Sequence, residues 1–466
     1  MKLPVRNSTV LPGTNHEIDV QPEIKIKELH SLVKEVTGIP KKQRIVLFLK
    51  TGKKWYRLEE EKSLNNYPLD EKKSKLDIKR YVSTNKIKEL ILTYHKLRDI
   101  DFPYGVISVE ELPTPETKKL LVDKAQDFVF DALYNPKSAA FRIPSRSKDN
   151  ISYDDELQMV LLGRQMIERQ FRSLSSVKSV AQMSTLMRIL YEILDREIHT
   201  TKRDLFYMAV NEFETQSTSD ALIEDLGAML QVTRSSMNIW ATSKGVVIGR
   251  LSFKERGDLI DCRKIGSGKS IAPNIDDIDD LESDAEFVLV IEKDAVFNRL
   301  AEDHFYDYVP SILVTAKGQP DMATREFLRK LNDELQIPIL AIMDADVYGF
   351  EIMRVYTIGS KALSFEARTL AVPNIKWLGL LPSDLQEDSG FHIPKSAFIK
   401  MSPNDVKKAK KLLDEEFVLK RPKWREQLQI LLDLGIKAEI QALNARDPQF
   451  ITNHYLPEKI ERGDFI

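Results

Sequence analysis

The sequence predicts a multidomain α/β protein, and three observations lead to this fold class. The chain has 466 residues, which is too long for one core and indicates about three domains. Helical patterns dominate its middle. From about residue 283 onward, apolar strands alternate with helices, the order that builds a parallel sheet. The hydrophobic content of 42% is that of a normally packed globular protein.

Residues 1–82 are predicted to form a small mixed domain. The stretch "HEIDV" alternates between apolar and polar residues, as a half-buried strand does. The stretch "EIKIKELHSLVKEVTG" has helical periodicity and ends on Gly38, a residue that commonly terminates helices. The stretches "QRIVLFL" and "SKLDIKRYV" complete the domain as predicted strands.

This first segment resembles a ubiquitin-like β-grasp domain. The stretches "IKELHSLVKEVTGIPKKQRIVLF", "KSLNNYPL" and "KLDIKRYV" follow the order of that fold. The resemblance places Val46 and Lys79 in the exposed patch through which such domains bind partners. Since the chain continues past "RYVSTNKIKEL" without a Gly-Gly end, we expect a docking module for an unidentified protein partner; a stabilising appendage or an added DNA contact is the alternative. A truncation starting near Lys86 is then expected to fold, dimerise and cleave DNA.

The central part of the chain is predicted to contain an arm and a helical domain. Residues 83–116 hold a short helical pattern, "KIKELILTYHKL", and then the Pro-containing stretch "DFPYGVISVEELPTPET", which is typical of a linker or arm. Residues 117–262 are mostly helical in pattern and close on "GVVIGRLSF", a Gly-punctuated hairpin candidate. Helices followed by a hairpin predict a winged helix-turn-helix. Residues 263–282 are expected to be a connecting loop.

Residues 283–466 are predicted to form a Rossmann-like parallel sheet with further C-terminal helices. The runs "EFVLVIE", "PSILVTA" and "IPILAIMD" are almost continuously apolar, as strands buried on both faces should be. Helical patterns such as "DAVFNRLAED" and "MATREFLRKLNDEL" separate them.

Two of these strands end in carboxylates. "VLVIE" delivers Glu292, and "LAIMDAD" delivers Asp344 and Asp346. Ligands of α/β sheets bind at the carboxyl ends of the strands. Three hard oxygen donors converging there suit Mg²⁺, which favours a few carboxylates together with water and substrate phosphate. The sequence therefore predicts a magnesium site formed by Glu292, Asp344 and Asp346.

The Asp-x-Asp motif alone is a weak indicator of a metal site, since it also occurs in glycosyltransferases, in phosphatases and in ordinary surface loops. Its pairing with a glutamate about 50 residues upstream, in a βαβ setting, resembles the Toprim domain of topoisomerases, primases and related nucleases.

A candidate nucleophile lies in "EIHTTKRDLFYMAVNEF". Thr201 with Asp204 three residues later forms a capping-box pattern, so a helix is expected to begin there. Arg203 and Tyr207 then share one helix face at i and i+4. A guanidinium beside a phenol can bind phosphate next to the attacking oxygen and favours the phenolate. The alternative is a half-buried tyrosine in an amphipathic helix.

The motifs taken together closely resemble the A-subunit of DNA topoisomerase VI, whose relative is the meiotic double-strand-break transesterase. The resemblance covers about residues 117–463. It rests on the following stretches in order: "SRSKDNISYDD", "TTKRDLFYMAV", "IEDLGAMLQVTRSSMNI", "DLIDCRKIGSGKSI", "EFVLVIEKDAVFNRL", "ILVTAKGQPDMATR", "MDADVYGFEI" and "YLPEKIERG". Two departures are Val347, where many members have proline, and the ubiquitin-like segment.

The resemblance implies a role for each candidate residue. Tyr207 is the tyrosine that cleaves DNA, on a winged-helix domain, and Arg203 is its neighbour. Glu292, Asp344 and Asp346 bind the metal, and Lys317 in "AKGQP" is a candidate phosphate contact. The implied reaction is a Mg²⁺-dependent double-strand break through a 5′-phosphotyrosine. The implied partners are double-stranded DNA, a second copy of the chain, and a GHKL-type ATPase, the B-subunit, which binds the ATP in a two-plus-two assembly.

The sequence leaves open two alternatives to the topoisomerase function. The first is a break-forming enzyme that does not reseal its breaks, as in meiosis, with the same catalytic residues. The second is a non-catalytic DNA-binding adaptor that recruits factors through its first domain. The presence of the tyrosine and of the three acids argues against the adaptor.

Several basic stretches are candidate DNA contacts. "FRIPSRSKDN" contributes Arg142, Arg146 and Lys148, which would contact the DNA backbone, and "GRQMIERQFRS" is predicted to be a helix with further arginines at 164, 169 and 172. A solvated charged face is the alternative. "IGSGKS" lacks the first glycine of a phosphate-binding loop, because residue 263 is arginine, so we expect no ATP site here and only a phosphate contact by Lys269.

The overall composition argues against a disulfide-bonded, secreted or membrane-spanning protein. The net charge is −2, so any DNA-binding surface must be local. Cys262 is the only cysteine, which excludes an internal disulfide and a cysteine zinc site within one chain. The start "MKLPVRNSTV" lacks an apolar signal core, and no apolar run is long enough to cross a bilayer. We therefore expect a cytoplasmic, nucleoid-associated protein in an archaeon, or a nuclear one in a eukaryote.

Overall fold

The structure is a computed structural model, and it describes residues 1–52, 54–70, 72–90, 103 and 105–466. Most of the helical pattern predicted over "KIKELILTYHKL" lies outside the described residues; its beginning forms the short helix α2. The N-terminal domain consists of β1 (Lys2–Asn7), β2 (Thr14–Asp19), α1 (Ile26–Thr37), β3 (Ile45–Thr51), β4 (Lys54–Arg57) and β5 (Ser74–Arg80). Gly38 ends α1 with a positive φ of 71°, which confirms its predicted role as a helix terminator.

The five strands form one sheet in the order β2-β1-β5-β3-β4, in which β1 and β5 run parallel and the other pairs antiparallel. The helix α1 covers one face of this sheet. Leu47 and Leu49 of β3 point to that face and form a core with Leu29 and Val33 of α1. A small domain with its own core precedes the rest of the chain, as the sequence predicts.

The opposite face of this sheet does not present the exposed patch that we predicted. Val46 is 6% exposed and Lys79 is 2% exposed. Val46 and Phe48 belong to the same apolar cluster as Phe305 and Tyr308 near the C-terminal sheet. The prediction of an exposed patch at Val46 and Lys79 is therefore wrong, because the chain covers this surface with its own residues.

The middle of the chain is a helical domain with short sheets. Its elements are α2 (Asn85–Lys88), β6 (Val106–Ile107), α3 (Thr114–Tyr134), β7 (Ala140–Pro144), β8 (Ile151–Asp154), β9 (Met159–Gly163), β10 (Met166–Gln170), α4 (Val177–Asp195), β11 (Thr200–Thr201), α5 (Lys202–Met208), α6 (Val210–Phe213), α7 (Gln216–Leu230) and β12 (Ile239–Trp240). Its core includes Leu186 and Leu190 of α4, packed with Leu205 of α5 and Leu226 of α7.

The helix predicted over "GRQMIERQFRS" is wrong. Residues 166–170 form β10, which pairs antiparallel with β7 from Met166 opposite Pro144 to Gln170 opposite Ala140. Met166, Ile167 and Glu168 remain exposed in this strand, so the strand borders the domain rather than crossing its core. The conformation of this segment is determined by its pairing with the distant strand β7. The local sequence pattern gives no indication of that pairing.

The C-terminal part begins with β13 (Val246–Gly249), β14 (Ser252–Glu255), β15 (Asp258–Asp261), β16 (Lys269–Ser270), β17 (Ile278–Glu282), β18 (Phe287–Ile291), α8 (Asp294–Glu302), α9 (Phe305–Tyr308), β19 (Ser311–Thr315), α10 (Met322–Leu335), β20 (Ile339–Ile342) and α11 (Val347–Ile358). It ends with α12 (Ala367–Leu370), β21 (Lys376–Gly379), β22 (Ile399–Lys400), α13 (Pro403–Leu413), α14 (Glu416–Leu419), α15 (Pro422–Leu434), β23 (Ile436–Lys437) and α16 (Leu456–Arg462).

The main sheet has six strands in the order β16-β13-β19-β18-β20-β21. The four strands from β19 to β21 are parallel, which confirms the predicted parallel sheet. Both of its faces are buried: in β18, Val288 and Val290 belong to one apolar cluster, whereas Leu289 and Ile291 belong to the other. The alternation within one apolar run is what a strand buried on both faces requires.

The hairpin predicted over "GVVIGRLSF" is wrong. The strand β13 pairs antiparallel with β19 of the main sheet, whereas β14 pairs with β15 and β17 in a separate sheet. Gly249 separates the two strands with a φ of 116°, and a Cβ there would stand 2.6 Å from the Ser311 carbonyl oxygen. Residues 246–249 therefore complete the C-terminal sheet instead of forming a wing of the helical domain. No described helix is long and apolar enough to cross a membrane.

Candidate active site

The predicted acids lie together at the carboxyl end of the parallel sheet. Glu292 follows β18, and Asp344 follows β20, whose Ile342 is the register partner of Ile291. The Asp344 backbone N–H donates to Glu292 Oε2 at 2.8 Å. Asp346 caps α11 and accepts a hydrogen bond from the Gly349 N–H at 2.8 Å. The two strand ends and the helix start thus fix all three carboxylates within one small region.

A lysine that the sequence reasoning missed occupies the cation position beside Asp344. Lys293 Nζ lies 2.9 Å from Asp344 Oδ2 and 2.9 Å from Glu439 Oε2. The second carboxylate oxygen of Asp344 accepts from the Ile440 N–H at 2.8 Å. The segment that contains Glu439 and Ile440 therefore closes over the site from far downstream in the chain. Lys293 was visible as the residue after Glu292, but nothing in the sequence places Glu439 here.

The electrostatics of the cluster favour a bound cation. Burial, followed by the charge of Asp344, raises the pKa of Glu292 to about 7. Burial also raises the pKa of Asp344 and of Asp346. Burial alone would lower the pKa of Lys293, but its hydrogen bonds with Asp344 and Glu439 outweigh that effect and raise it. Carboxylates that are costly to ionise together are stabilised by a positive charge among them.

The donor set fits a hard divalent cation such as Mg²⁺. Three carboxylates supply oxygen ligands of the kind that this ion prefers. As the side chains stand in the described part of the chain, no group of three or more His, Cys, Asp or Glu residues is already arranged around a metal position. The ammonium group of Lys293 lies 2.9 Å from one oxygen of Asp344. A divalent ion at Asp344 would compete with this ammonium group for the carboxylate.

The candidate nucleophile lies on α5 in the helical domain. Thr201 caps this helix: its Oγ1 accepts from the Asp204 N–H at 3.1 Å and donates to Asp204 Oδ2 at 2.8 Å. Leu205 is fully buried and anchors the helix, whereas Tyr207 is 59% exposed. The Arg203 guanidinium carbon lies 5.9 Å from the centre of the Tyr207 ring. The two side chains share one helix face, as the i, i+4 spacing predicts.

Tyr207 differs in exposure from the buried tyrosines, and Tyr134 and Tyr191 are exposed as well, at 70% and 41%. Within the part of the chain that the structure describes, the Tyr207 hydroxyl makes no hydrogen bond. Tyr356, by contrast, is 2% exposed. An exposed phenol on a rigid helix, beside a guanidinium, can approach a phosphodiester without rearrangement of the core. His199 precedes this helix and stacks on Trp240 with ring centres 3.6 Å apart.

The candidate DNA contacts fall into three groups. Arg146 is held by Glu224 at 2.6 Å and by Asp225 at 2.8 Å, and Lys269 by Glu255 at 2.6 Å, so these two side chains already balance nearby acids. Lys148 is exposed at the start of a short 3₁₀ helix, Lys148–Asn150. The other two are exposed but paired: Arg142 Nε lies 3.1 Å from Glu168 Oε1, and Lys317 Nζ lies 3.5 Å from Asp294 Oδ1. A DNA contact at any of the five stays a prediction.

Comparison with known proteins places the chain in a family. A family model described as the Toprim domain of the topoisomerase 6 A-subunit/Spo11 matches residues 287–460, and one described as type IIB DNA topoisomerase matches residues 178–239. The chain is 46% identical to the DNA topoisomerase 6 A-subunit of Arabidopsis thaliana over 328 residues, which are 70% of this chain and 76% of that protein. The chain belongs to the topoisomerase 6 A-subunit/Spo11 family.

Two further members of the family show the breadth of the similarity. The type 2 DNA topoisomerase 6 A-subunit of Hyperthermus butylicus is 35% identical over 366 residues, which cover 72% of this chain and 93% of that protein. Meiotic recombination protein SPO11 of Mus musculus is 37% identical over 343 residues, covering 72% and 86%. The predicted resemblance is confirmed, and the acids at 292, 344 and 346 lie within the residues that the Toprim family model matches. Val347, the departure from the expected proline, is 1% exposed in the first turn of α11.

Proposed function

We propose that this chain is the DNA-cleaving and rejoining subunit of an ATP-dependent type IIB topoisomerase and that Tyr207 is its nucleophile. The observation that carries the proposal is the exposed Tyr207 beside Arg203 on a capped helix, in a chain that also carries a Toprim carboxylate cluster. An exposed phenol whose helix is fixed by buried neighbours is preorganised for attack.

In the proposed step, Tyr207 Oη forms a bond to the phosphorus of a DNA phosphodiester, and the bond between phosphorus and the 3′ oxygen breaks. The phenol proton is lost, and the 3′ oxygen gains a proton and becomes a hydroxyl. The 5′ end stays attached as a phosphotyrosine. Arg203 stabilises the charge that develops on the phosphate oxygens, which a guanidinium does through directed hydrogen bonds. Reversal of the same step reseals the strand.

Glu292, Asp344 and Asp346 would hold Mg²⁺ in this proposal. A bound divalent ion would polarise phosphate oxygens near the scissile bond. The residues of the chain have their own tasks: Glu292 also fixes the backbone of Asp344, and Asp346 fixes the start of α11. Lys293, once it leaves Asp344, stays close enough to the cluster to pair with a phosphate or with Glu439.

The proposed architecture and assembly follow from the same family. The strand order and the single helix of residues 1–82 support a ubiquitin-like β-grasp, and α4, α5 and α7 with the β7–β10 ribbon support a winged-helix domain. Each chain supplies one Tyr207, so a double-strand break requires a homodimer. The ATP would be held by a GHKL-type B-subunit in a two-plus-two assembly on double-stranded DNA, in the nucleoid of an archaeon or the nucleus of a eukaryote.

Among the candidate DNA contacts, we place Arg142, Lys148 and Lys317, whose side chains are well exposed, ahead of Arg146 and Lys269, whose side chains are only 16% and 24% exposed. Contacts of this kind orient the duplex through its backbone. Arg146 and Lys269 are assigned to structural ion pairs, because each is largely buried against the acids that it pairs with.

The test combines the full chain, its ATPase partner, supercoiled plasmid and Mg²⁺, followed by detection of protein attached to DNA 5′ ends. We expect Tyr207→Phe to abolish the covalent complex and to retain DNA binding, since only the attacking oxygen is lost. The matched control is Tyr191→Phe, because Tyr191 is also exposed and also has a cation, Lys118 Nζ, 5.1 Å from its ring centre. Cleavage that persists in the first variant and disappears in the second would move the nucleophile to Tyr191.

The second candidate function is break formation without resealing, which the similarity to a protein named for meiotic recombination favours. The two functions share the cleavage step and differ in its reversal. Relaxation of supercoiled plasmid by the chain and its ATPase partner, with closed circular product, supports the topoisomerase. Linear product with stable 5′ adducts and no closed circles would support the break-forming enzyme.

A further inference from the structure

The outer face of the N-terminal sheet, opposite α1, is divided into a docked half and an open half. We define the docked half as Val46, Phe48, Arg57 and Lys79. We define the open half as Arg6, Lys50, Trp55 and Lys75. Alternate residues of a strand share a face, so Phe48 and Lys50 of β3 and Lys75 and Lys79 of β5 all point to this outer side.

The docked half is fixed on the C-terminal domain. The Phe48 ring meets the Tyr308 ring edge-on with centres 6.2 Å apart, and Lys79 Nζ donates to Asn453 Oδ1 at 2.8 Å. The Arg57 guanidinium donates to the Asp307 carbonyl oxygen at 3.0 Å. These contacts hold the whole sheet in one orientation, and therefore they also fix the direction in which the open half faces.

The open half brings cations together without acids to balance them. Lys50 and Lys75 are register partners on adjacent strands. Like charges placed directly opposite each other destabilise a sheet. Arg6 lies on the next strand, β1, where its register partner is Asp77, an acid that is engaged by Ser8 and Lys79. Within the described residues, none of the three cations of the open half forms an ion pair; Lys50 only stands over the Trp55 ring, 4.9 Å from its centre. An anion bound across these strands would remove the repulsion.

The open half lines a cleft of about 1100 Å³ between the N-terminal domain and the C-terminal domain. The opposite wall adds Arg263, Lys264 and Arg299, each paired with an acid, at 3.3, 3.1 and 3.2 Å respectively. Cations therefore line both sides of the cleft.

The acids at the cleft are already engaged by the protein. Asp77 accepts from Ser8 Oγ at 2.7 Å and pairs with Lys79 at 3.4 Å. Asp303 accepts hydrogen bonds from Gln449 and Thr452. Glu302 pairs with Arg299, and Asp447 caps a turn by accepting from the Gln449 N–H at 2.7 Å. The lining contains six Lys and Arg against four Asp and Glu, so the cleft carries a net positive charge.

The net charge of the N-terminal domain also favours the binding of an anion. Residues 1–82 contain 18 Lys and Arg against 11 Asp and Glu, which gives +7. Since the whole chain carries −2, the remainder carries −9. A basic domain on an otherwise acidic chain attracts a polyanion through its local field.

We propose that the open half of the N-terminal sheet binds the phosphodiester backbone of DNA, at a site separate from the helix that carries Tyr207. Neighbouring strands are about 4.8 Å apart, so the three cations form a line of roughly 10 Å. A duplex carries one charge per about 1.7 Å of axis, so such a line meets several phosphates whatever the base sequence. The domain thereby extends the DNA contact of the chain instead of recruiting a separate protein.

The test measures DNA binding by the full chain in EDTA, where no cleavage takes place, so its result does not depend on the proposed reaction. The variant Arg6→Gln, Lys50→Gln, Lys75→Gln is compared with the wild type over a range of salt concentrations. Each lost phosphate contact reduces the steepness of log affinity against log salt by about 0.9 on duplex DNA and about 0.7 on a single strand. We expect the triple variant to lose about 2.7 from this slope on duplex DNA or about 2.1 on a single strand, and the use of duplex and single-stranded oligonucleotides in parallel identifies which form is bound.

The matched control removes the same charge from the other side of the domain. Lys25, Lys27 and Lys42 are exposed near α1, which covers the opposite face of the sheet. We expect their exchange for Gln to leave the slope unchanged. Equal losses in both triple variants, or no loss in the first, would overturn the proposal. Should the first variant fail to fold, the single change Lys75→Gln at an exposed side chain gives the same test, with an expected slope change of about 0.9 on duplex DNA.

Discussion

Replacement of Glu292 by Gln is expected to stabilise the metal-free protein at alkaline pH. Burial and the neighbouring Asp344 raise the pKa of Glu292 to about 7, from an ordinary value of 4.5. The folded protein therefore binds this proton more tightly than the unfolded chain does. Its contribution to the free energy of unfolding is fully present below pH 4.5 and is lost as the pH rises through 7.

The size of the expected stabilisation follows from the difference between the folded and unfolded pKa values of Glu292. A difference of about 2.5 pH units at about 1.4 kcal/mol per unit gives roughly 3 kcal/mol. A Gln side chain cannot ionise, so the variant avoids this loss. For a cooperative unit of 150–250 residues, 1 kcal/mol corresponds to about 2–4 °C in Tm. We expect the advantage of Glu292→Gln over the wild type to grow by about 6–12 °C between pH 4.5 and pH 8.

The assay is thermal unfolding in EDTA at a series of pH values. The control is Glu302→Gln, which makes the same chemical change at a side chain that is 67% exposed, and its effect should be nearly independent of pH. Addition of Mg²⁺ at pH 8 should recover the stability of the wild type more than that of the variant. If the Glu292→Gln advantage is the same at pH 5 and pH 8, burial does not hold this carboxyl protonated and the reasoning is refuted.

Further predictions concern four other side chains. Lys293→Met should lower stability in EDTA and raise Mg²⁺ affinity, because it leaves Asp344 unpaired and removes the competing cation; titration calorimetry measures the affinity. Arg203→Ala should reduce the covalent DNA complex by on the order of 10²-fold with DNA binding retained, as quantified on gels. Lys79→Met should destabilise by about 3 kcal/mol, since it strands buried Asp77, and should speed proteolysis of the N-terminal domain. Cys262, fully buried with its pKa raised to about 12 by burial, should resist thiol reagents at pH 8 until the protein unfolds.

The parts of the structure that the sequence predicts well are those in which neighbours along the chain decide the outcome. The helix α5 is capped by Thr201, whose partner Asp204 is three residues away. The carboxylates at 292 and 344 follow directly from apolar strands, and a parallel sheet necessarily brings such strand ends to one edge. In these cases the local pattern and the tertiary fold agree, which is what a well-specified sequence provides.

The predictions from the sequence fail where pairing with a distant segment determines the conformation. The strand β10 is held by β7, about 25 residues away, and Arg169 in it pairs with Asp225 of α7. Glu439 reaches Lys293 only because the segment after β23 folds back over the carboxyl end of the sheet. In "GVVIGRLSF", the alternation correctly indicates two strands, but Gly249 lets the chain pass so close to β19 that the strands enter different sheets. Residue types alone do not encode these pairings.

In the N-terminal domain, the sequence correctly predicts the sheet face of two residues but not their burial. Val46 and Lys79 lie on the outer face of the sheet, where the resemblance to ubiquitin-like domains puts a binding patch, yet both are buried against the same chain. A receptor for that patch would have to displace Tyr308 and Asn453 first. A truncation near Lys86 would likewise expose the apolar surface around Tyr308, so the truncated chain should unfold at a lower temperature than the full chain. Along the described part of the outer face, the surface left for a partner is the cationic open half, and its charge selects an anion rather than an apolar receptor.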